Sequence, residues 1–174
     1  MFKEFKKLFL RPFLFTDMHL IHDGLSLDIT TASIHDLDEV MTLQSAVYLD
    51  YQPWTRQTYM YELTRRSHIY LLVKTNDQII AILGISTKNI QEAHITNISV
   101  LPSFQNKGLG HLLLDICFKL VREADFSKLT LEVDAQNTRA IKLYKSLGFY
   151  ETKSIKNYYD NGHDGLELCK HINK

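Results

Sequence analysis

The stretch Asn97–Gly110, NISVLPSFQNKGLG, decides how this chain is read. Ile98, Ser99 and Val100 form an apolar, strand-like run, Pro102 marks a turn, and Gln105–Gly110 is a short loop with one lysine and two glycines. The periodic apolar stretch HLLLDICFKLV, residues 111–121, then reads as a helix. A strand, a glycine loop and a helix start in that order build an anion cradle. Small residues let main-chain N–H groups close on a phosphate, and the helix N-terminus adds unpaired donors and the positive end of its dipole. The plain alternative is a turn that only joins strand to helix.

Three phosphate-loop patterns compete for these residues. A Walker loop needs Lys and Ser or Thr directly after its last glycine, and here His111 and Leu112 follow Gly110. A dinucleotide fingerprint needs a third small residue, where Leu113 stands, and a loop directly after its strand, whereas Leu101 to Lys107 intervene. Gln105-Asn106-Lys107-Gly108-Leu109-Gly110 does fit Gln/Arg-x-x-Gly-x-Gly.

Outward from the loop the chain alternates strands and helices. Leu25, Leu27 and Ile29 alternate as a strand, and Ser33 opens a Ser-x-x-Asp cap before the helical stripe Leu37, Val40, Met41 and Val47. A second helix begins near Thr55. Residues 68–74 and 79–86 are strands joined at Thr75–Gln78 as a hairpin, and 93–100 is another strand. After the loop and its helix come a strand at 129–134, a helix at about 137–146, and strands near 149–156 and 164–170. The pattern predicts a mixed α/β (α+β) domain with a central, mainly antiparallel sheet. Residues 26–174 form that domain and residues 1–25 an N-terminal extension. In the extension Phe2, Phe5, Leu8 and Phe9 lie at helical spacing among Lys3, Lys6 and Lys7 until Pro12. Such a helix packs on its own domain or a partner, or lies on a membrane surface.

Bulk composition narrows the function. The 174 residues are 45% apolar and 23% charged with a formal net charge of zero, so no global field favours nucleic acid or an anionic membrane. No apolar run is long enough to span a bilayer, and the first residues mix charge with apolar side chains unlike a secretory signal. Two distant cysteines, Cys117 and Cys169, suit buried free thiols and a reducing cytoplasm. His19 and His22 are a lone close pair with no cysteine beside them, so no metal is expected.

The second constellation is LTLEVDAQNTRAIKLYKSLGF, residues 129–149. Glu132 interrupts the alternation Leu129, Leu131, Val133 and so points to the face opposite them. Asn137 sits where a helix begins, Tyr144 follows two turns later, and Leu147-Gly148-Phe149 ends the helix. Together with the glycine loop, with Asn157-Tyr158-Tyr159 and with Gly165 beyond, this run resembles the RimI-type ribosomal-protein-alanine N-acetyltransferases of the GNAT superfamily. The likeness covers residues 27 to about 170, is densest from 95 to 160, and extends to Pro53-Trp54.

That resemblance implies the GNAT fold, with a splayed strand pair holding acetyl-CoA, and acetyl transfer to the N-terminal α-amine of a protein. It implies Glu132 as the base and Tyr144 as the acid. The main chain of Ile98, Ser99 and Val100 would pair with the pantetheine arm. Gln105, Asn106, Lys107, Gly108, Leu109, Gly110 and His111 would cradle the pyrophosphate, with Asn137 touching the coenzyme beyond. Tyr51, Trp54, Tyr158 and Tyr159 would grip the acceptor peptide. Asp134 stands where the family carries a basic residue, which leaves the acceptor's second-residue preference open. The chemistry suits these roles: an α-ammonium must lose a proton before it attacks a thioester, and the leaving thiolate must gain one. A GNAT acting on lysine side chains or small amines, and a non-catalytic acyl-CoA sensor, are the alternatives. The first would favour an acid-lined pocket, whereas residues 48–61 and 157–163 are aromatic.

Overall fold

A computed structural model describes residues 13–48 and 53–173. The helix expected near the N-terminus falls largely, and Tyr51 entirely, outside the described residues. Eight strands form one sheet in the order β1-β2-β3-β4-β5-β6-β8-β7. They are β1 (Met18–His22), β2 (Leu25–Thr31), β3 (His68–Thr75), β4 (Gln78–Thr87), β5 (Glu92–Val100), β6 (Lys128–Asp134), β7 (Tyr150–Ile155) and β8 (Gly165–His171). Among the described residues four α-helices flank it: α1 (Leu37–Val47), α2 (Arg56–Thr64), α3 (Leu109–Glu123) and α4 (Thr138–Ser146).

Neighbouring strands run antiparallel everywhere except β5 and β6, which are parallel. Parallel neighbours need a crossover, and α3 supplies it. The helix earns that place by an apolar face: Leu109, Leu113, Leu114, Cys117, Leu120 and Val121 are all buried. Burying each leucine contributes about 1.5–3 kcal/mol. Cys117 and Cys169 are buried free thiols, as expected.

Local signals explain the joints. The turn between β3 and β4 holds Asn76 and Asp77 at φ 47° and 61°, the pair of left-handed residues that a two-residue hairpin requires. At Ser33 the hydroxyl accepts from the His35 N–H while the Asp36 carboxylate accepts from the Ser33 N–H, giving the expected cap. Asp36 also pairs with Lys74 at 3.2 Å, tying that turn to β3.

Part of the stretch assigned to the extension belongs to the sheet. β1 pairs with β2 through Asp23-Gly24, at φ 49° and 74°, and Phe13 is buried with its ring 5.6 Å from that of Phe126. Among the described residues no helix is long and apolar enough to cross a membrane.

Candidate active site

The site begins where two strands part. β5 pairs with β6 only from Glu92–Ile95 to Lys128–Leu131; beyond that β5 follows β4 to Val100 and β6 follows β8 to Asp134. Opposite β5, Ile85 pairs with Ile95 and Gly84 with Asn97, so Thr96 is an extra residue at the point of parting. Such a bulge bends its strand. The Tyr70 hydroxyl fixes this one, meeting Thr96 Oγ1 at 2.8 Å while donating to Glu62 Oε2 at 2.9 Å. Only glycine fits at position 84, because an added Cβ would lie 2.3 Å from Tyr70 Cε1.

One edge of β5 is therefore open. The Leu101 N–H donates to Ile80 O in β4 at 2.8 Å, so the preceding carbonyl, that of Val100, points to the open edge. By the two-residue alternation of a strand, Ile98 and Val100 turn their main-chain groups outward and Ser99 turns its own toward β4. The Ser99 side chain is buried as well, donating to Asn97 Oδ1 at 3.1 Å. Of the three residues expected to pair with a ligand, the structure brings Ile98 and Val100 to the gap and holds Ser99 away.

A cavity of about 640 Å³ runs along this edge between the glycine loop, α3 and α4. Ile98, Val100, Gln105, Asn106, Gly108, Leu109, Gly110, His111, Asn137 and Tyr144 all line it. Asn106 and Gly108 sit at φ 64° and 75°, so the loop turns tightly into the helix. The first turn of α3 leaves its N–H groups without partners inside the helix. An added Cβ at Gly110 would come within 3.0 Å of Leu143 Cδ2. Lys107 is not on the cavity wall; its carbonyl accepts from His22 Nε2 at 2.7 Å, bracing the loop against β1. Gln105 works at both ends, donating to Val100 O at 3.0 Å and accepting from Arg139 Nη1 at 2.7 Å. Asn137 caps α4, its Oδ1 accepting from the Ala140 N–H at 3.0 Å. His111, Arg139 and Lys142 line the cavity, and no carboxylate is among its described lining residues. The space suits a small-molecule ligand, and its polarity suits an anion.

Glu132 stands on the other face of the sheet, directly after the last β6 residue paired to β5. It does not line the cavity; it faces the fork from the opposite side. Parallel register sets His94 beside Thr130, and alternation puts His94, Thr130 and Glu132 on one face. Glu132 Oε2 lies 3.0 Å from His94 Nε2, with both side chains mostly buried. Burial pushes the Glu132 carboxyl up, but the hydrogen bond and charge of His94, helped by Lys88 and the Tyr158 hydroxyl, outweigh it and hold the group below its ordinary range. Tyr144, buried on α4 with its ring edge-on to Phe149 at 5.6 Å, goes the other way. Burial, with Tyr48, Tyr159 and Cys117 nearby, pushes its phenol well up, so it keeps its proton. One face thus offers a proton acceptor and the cavity wall a proton donor.

Tyr158 and Tyr159 lie in the β7–β8 connection, their rings perpendicular at 5.0 Å. Gly165 lets Tyr158 lie over the start of β8, since an added Cβ would meet its Cδ1 at 2.8 Å. Tyr158 remains 45% exposed beside Glu132, a placement open to an incoming chain. Asp134 is engaged by His163 Nδ1 at 2.7 Å and by the Gln136 N–H at 2.8 Å, which steadies the same connection. Trp54 packs its ring 5.0 Å from Tyr59 and 6.4 Å from Tyr70, in the cluster that braces the β5 bulge. The sequence reading missed His94, Arg139 and Lys142. His94 has no local signal, because its partners lie on a strand far along the chain. Arg139 and Lys142 were visible one helical turn apart beside Asn137.

With this geometry in hand, a model of the Acetyltransferase (GNAT) family matches residues 34–149. The chain belongs to the GNAT family. A [ribosomal protein bS18]-alanine N-acetyltransferase of Salmonella typhimurium is 38% identical to it over 115 residues, 64% of this chain and 76% of that relative. A Bacillus subtilis protein, provisionally given the same activity by name, is 32% identical over 143 residues, covering 81% of this chain and 93% of the relative. The crystal structure of the ribosomal-protein-S18-alanine N-acetyltransferase from Escherichia coli superposes with a TM-score of 0.77 at 26% identity, covering 85% of this chain and 95% of that one. The expected GNAT fold is present, and this acetyltransferase has the parted strand pair that the resemblance implied, opening at Thr96.

Proposed function

We propose that this GNAT protein transfers the acetyl group of acetyl-CoA to the N-terminal α-amine of a protein in the cytoplasm, with a ribosomal protein beginning in alanine as the acceptor. The observation that carries the reading is the fork. It joins a cation-lined cavity on one face of the sheet to a mostly buried carboxylate on the other, so a thioester and an amine can meet through the gap. The relatives named for alanine N-acetylation support the choice of acceptor.

The residues fit the co-substrate. The α3 N-terminus, the loop residues Gln105, Asn106 and Gly108–His111, Arg139 and Lys142 would hold the pyrophosphate, with Lys107 bracing the loop from behind, and Asn137 would sit beside the coenzyme. The open edge of β5 at Ile98 and Val100 would pair with the pantetheine arm as an added strand. An N–H on that edge would also steady the developing oxyanion. Glu132 takes the proton from the α-ammonium, the amine nitrogen bonds the acetyl carbon, and the carbon–sulfur bond breaks. Tyr144 gives its proton to the departing thiolate, and the second proton that the nitrogen sheds as the amide forms returns to the Tyr144 oxygen. Tyr158 and Tyr159 flank the acceptor, and Trp54, with Tyr51 outside the described residues, is the further candidate to grip it. Residues 26–174 carry this activity, and residues 1–25 add an edge strand and a segment outside the described residues.

The test uses Glu132→Gln with acetyl-CoA and three peptides beginning Ala-Arg, Met-Leu and acetyl-Ala-Lys. Wild-type protein is expected to acetylate the Ala-Arg peptide, and the variant to lose about 10²–10⁴-fold in kcat. Acetyl-CoA affinity by calorimetry should stay unchanged. Transfer to the acetyl-Ala-Lys peptide alone would overturn the α-amine reading. A fully active variant would overturn the assigned base.

A further inference from the structure

Behind Glu132 runs a line of side chains whose hydrogen-bond directions follow one from the next. At its far end Glu92 is 8% exposed, with Lys88 Nζ at 3.1 Å from Oε1 and Lys128 Nζ at 3.2 Å from Oε2. Burial pushes this carboxyl up, but Lys88, Thr130 and Lys128 outweigh it and hold it at about 2, so at neutral pH it only accepts. Thr130 is fully buried and donates its hydroxyl hydrogen to Glu92 Oε1 at 2.9 Å. With that hydrogen committed, Thr130 Oγ1 meets His94 Nδ1 at 2.9 Å as an acceptor. Nδ1 therefore carries a hydrogen, and Nε2 is the nitrogen left facing Glu132 Oε2 at 3.0 Å.

We propose that Thr130 and Glu92 are positioning residues that fix the Nδ1–H tautomer of His94, and so make Glu132 and His94 a pair holding one exchangeable proton. The inference rests on Glu132 being the base, as argued above. In the proton-free pair, Nε2 turns a lone pair toward the carboxylate. The first proton that leaves the α-ammonium is then shared between Oε2 and Nε2, while the amine joins the acetyl carbon, the thiolate takes its proton from Tyr144 and the nitrogen's second proton returns to the Tyr144 oxygen. Without the anchor at Nδ1, the imidazole is free to carry its hydrogen on Nε2. It would then donate to Glu132, stabilise the bare carboxylate and make it a poorer acceptor. Lys128, Glu167 and Asp134 on the sheet, and Lys88, Tyr48, Tyr158 and Tyr159 from the connections, also face this region. All are kept in the variants below, so their fields are common to every comparison.

Thr130→Val removes the hydroxyl at nearly constant volume, and Thr130→Ser keeps it. In the full protein, imidazole nitrogen NMR at a pH where the pair has lost its shared proton should show hydrogen on Nδ1 of His94 in wild type and T130S, and on Nε2 in T130V. The His94 signal is identified by its loss in H94Q. With the Ala-Arg peptide, the plateau of kcat/KM should fall about tenfold in T130V. Its acid limb should move about half a unit or more toward lower pH, because the pair no longer needs the shared proton to stay bonded. T130S should restore both. An Nε2–H tautomer in the wild type overturns the proposal even if T130V fails to fold. An inactive E132Q beside a T130V with wild-type plateau and limb overturns the positioning chain and leaves the base intact. A fully active E132Q removes both.

Discussion

Gly84→Ala tests whether the parting of β5 and β6 depends on a tight contact beneath it. The new Cβ would lie 2.3 Å from Tyr70 Cε1, 2.7 Å from Cζ and 2.6 Å from Thr96 Oγ1. Carbon atoms settle at about 3.5–4.0 Å, so the ring must retreat by about 1 Å or more. It has no free path, being edge-on to Tyr59 at 6.4 Å and bonded to both Glu62 and Thr96. Overpacking of this kind costs about 1–3 kcal/mol, and breaking the bond to the Glu62 carboxylate adds about 1.5–3 kcal/mol. A total of about 3–5 kcal/mol should lower the melting temperature by about 10 °C in a chain of this size. Thermal unfolding followed by circular dichroism measures it. In a Tyr70→Leu background the same substitution should cost about 2 kcal/mol less, since two of the three atoms it strikes are gone and only Thr96 Oγ1 remains. A G84A protein melting within about 2 °C of wild type would refute the reasoning, as would strict additivity of the two changes.

Four further outcomes are expected. Tyr144→Phe keeps the ring against Phe149 and should lower kcat about 10²-fold with acetyl-CoA affinity unchanged by calorimetry. Because burial raises the Tyr144 phenol, wild type should show no alkaline loss of rate near pH 10, where free tyrosine titrates. Gly108→Ala forces a side chain to φ 75° with its Cβ 3.0 Å from His22 Nε2; at a cost of about 1–3 kcal/mol, it should weaken acetyl-CoA binding about tenfold, and adding His22→Ala should not restore it. Glu92 lies at about 2 in the folded protein against 4.5 ordinarily, so its stabilisation is complete above pH 4.5 and drains as pH falls toward 2. Urea unfolding should show wild type losing stability more steeply than Glu92→Gln across that window.

Much of this fold was legible because its signals are local. Alternation marked β2 and β6, apolar runs joined by a turn marked β3 and β4, the Ser33 cap marked the entry to α1, and Gly108 and Gly110 marked the passage of the loop into α3. The face of Glu132 was readable too, since a polar residue amid Leu129, Leu131 and Val133 must point away from them. Its partner was not. His94 meets Glu132 only through a parallel pairing, and no pattern within either strand encodes that register. The bulge at Thr96 is equally silent, because it is fixed by Tyr70 from another strand and by the room left at Gly84. β1 is a different case: Asp23-Gly24 is a strong hairpin signal, overshadowed by the basic and apolar residues before it. Gln105 was read as part of the loop's lining, yet both ends of its amide are engaged, which only coordinates reveal.

The short union of β5 with β6 has a consequence for the molecule as a machine. Everything from β1 to β5 is one contiguous meander, β6, β8 and β7 are a second antiparallel group, and the sheet is stitched between them by pairs running only from Glu92 to Ile95. A coenzyme arm laid along the open edge would lengthen that seam where the protein left it unsewn. On the proposed function the co-substrate would be a temporary strand as well as an acyl donor, and the two halves should be held most firmly together only while the enzyme is loaded.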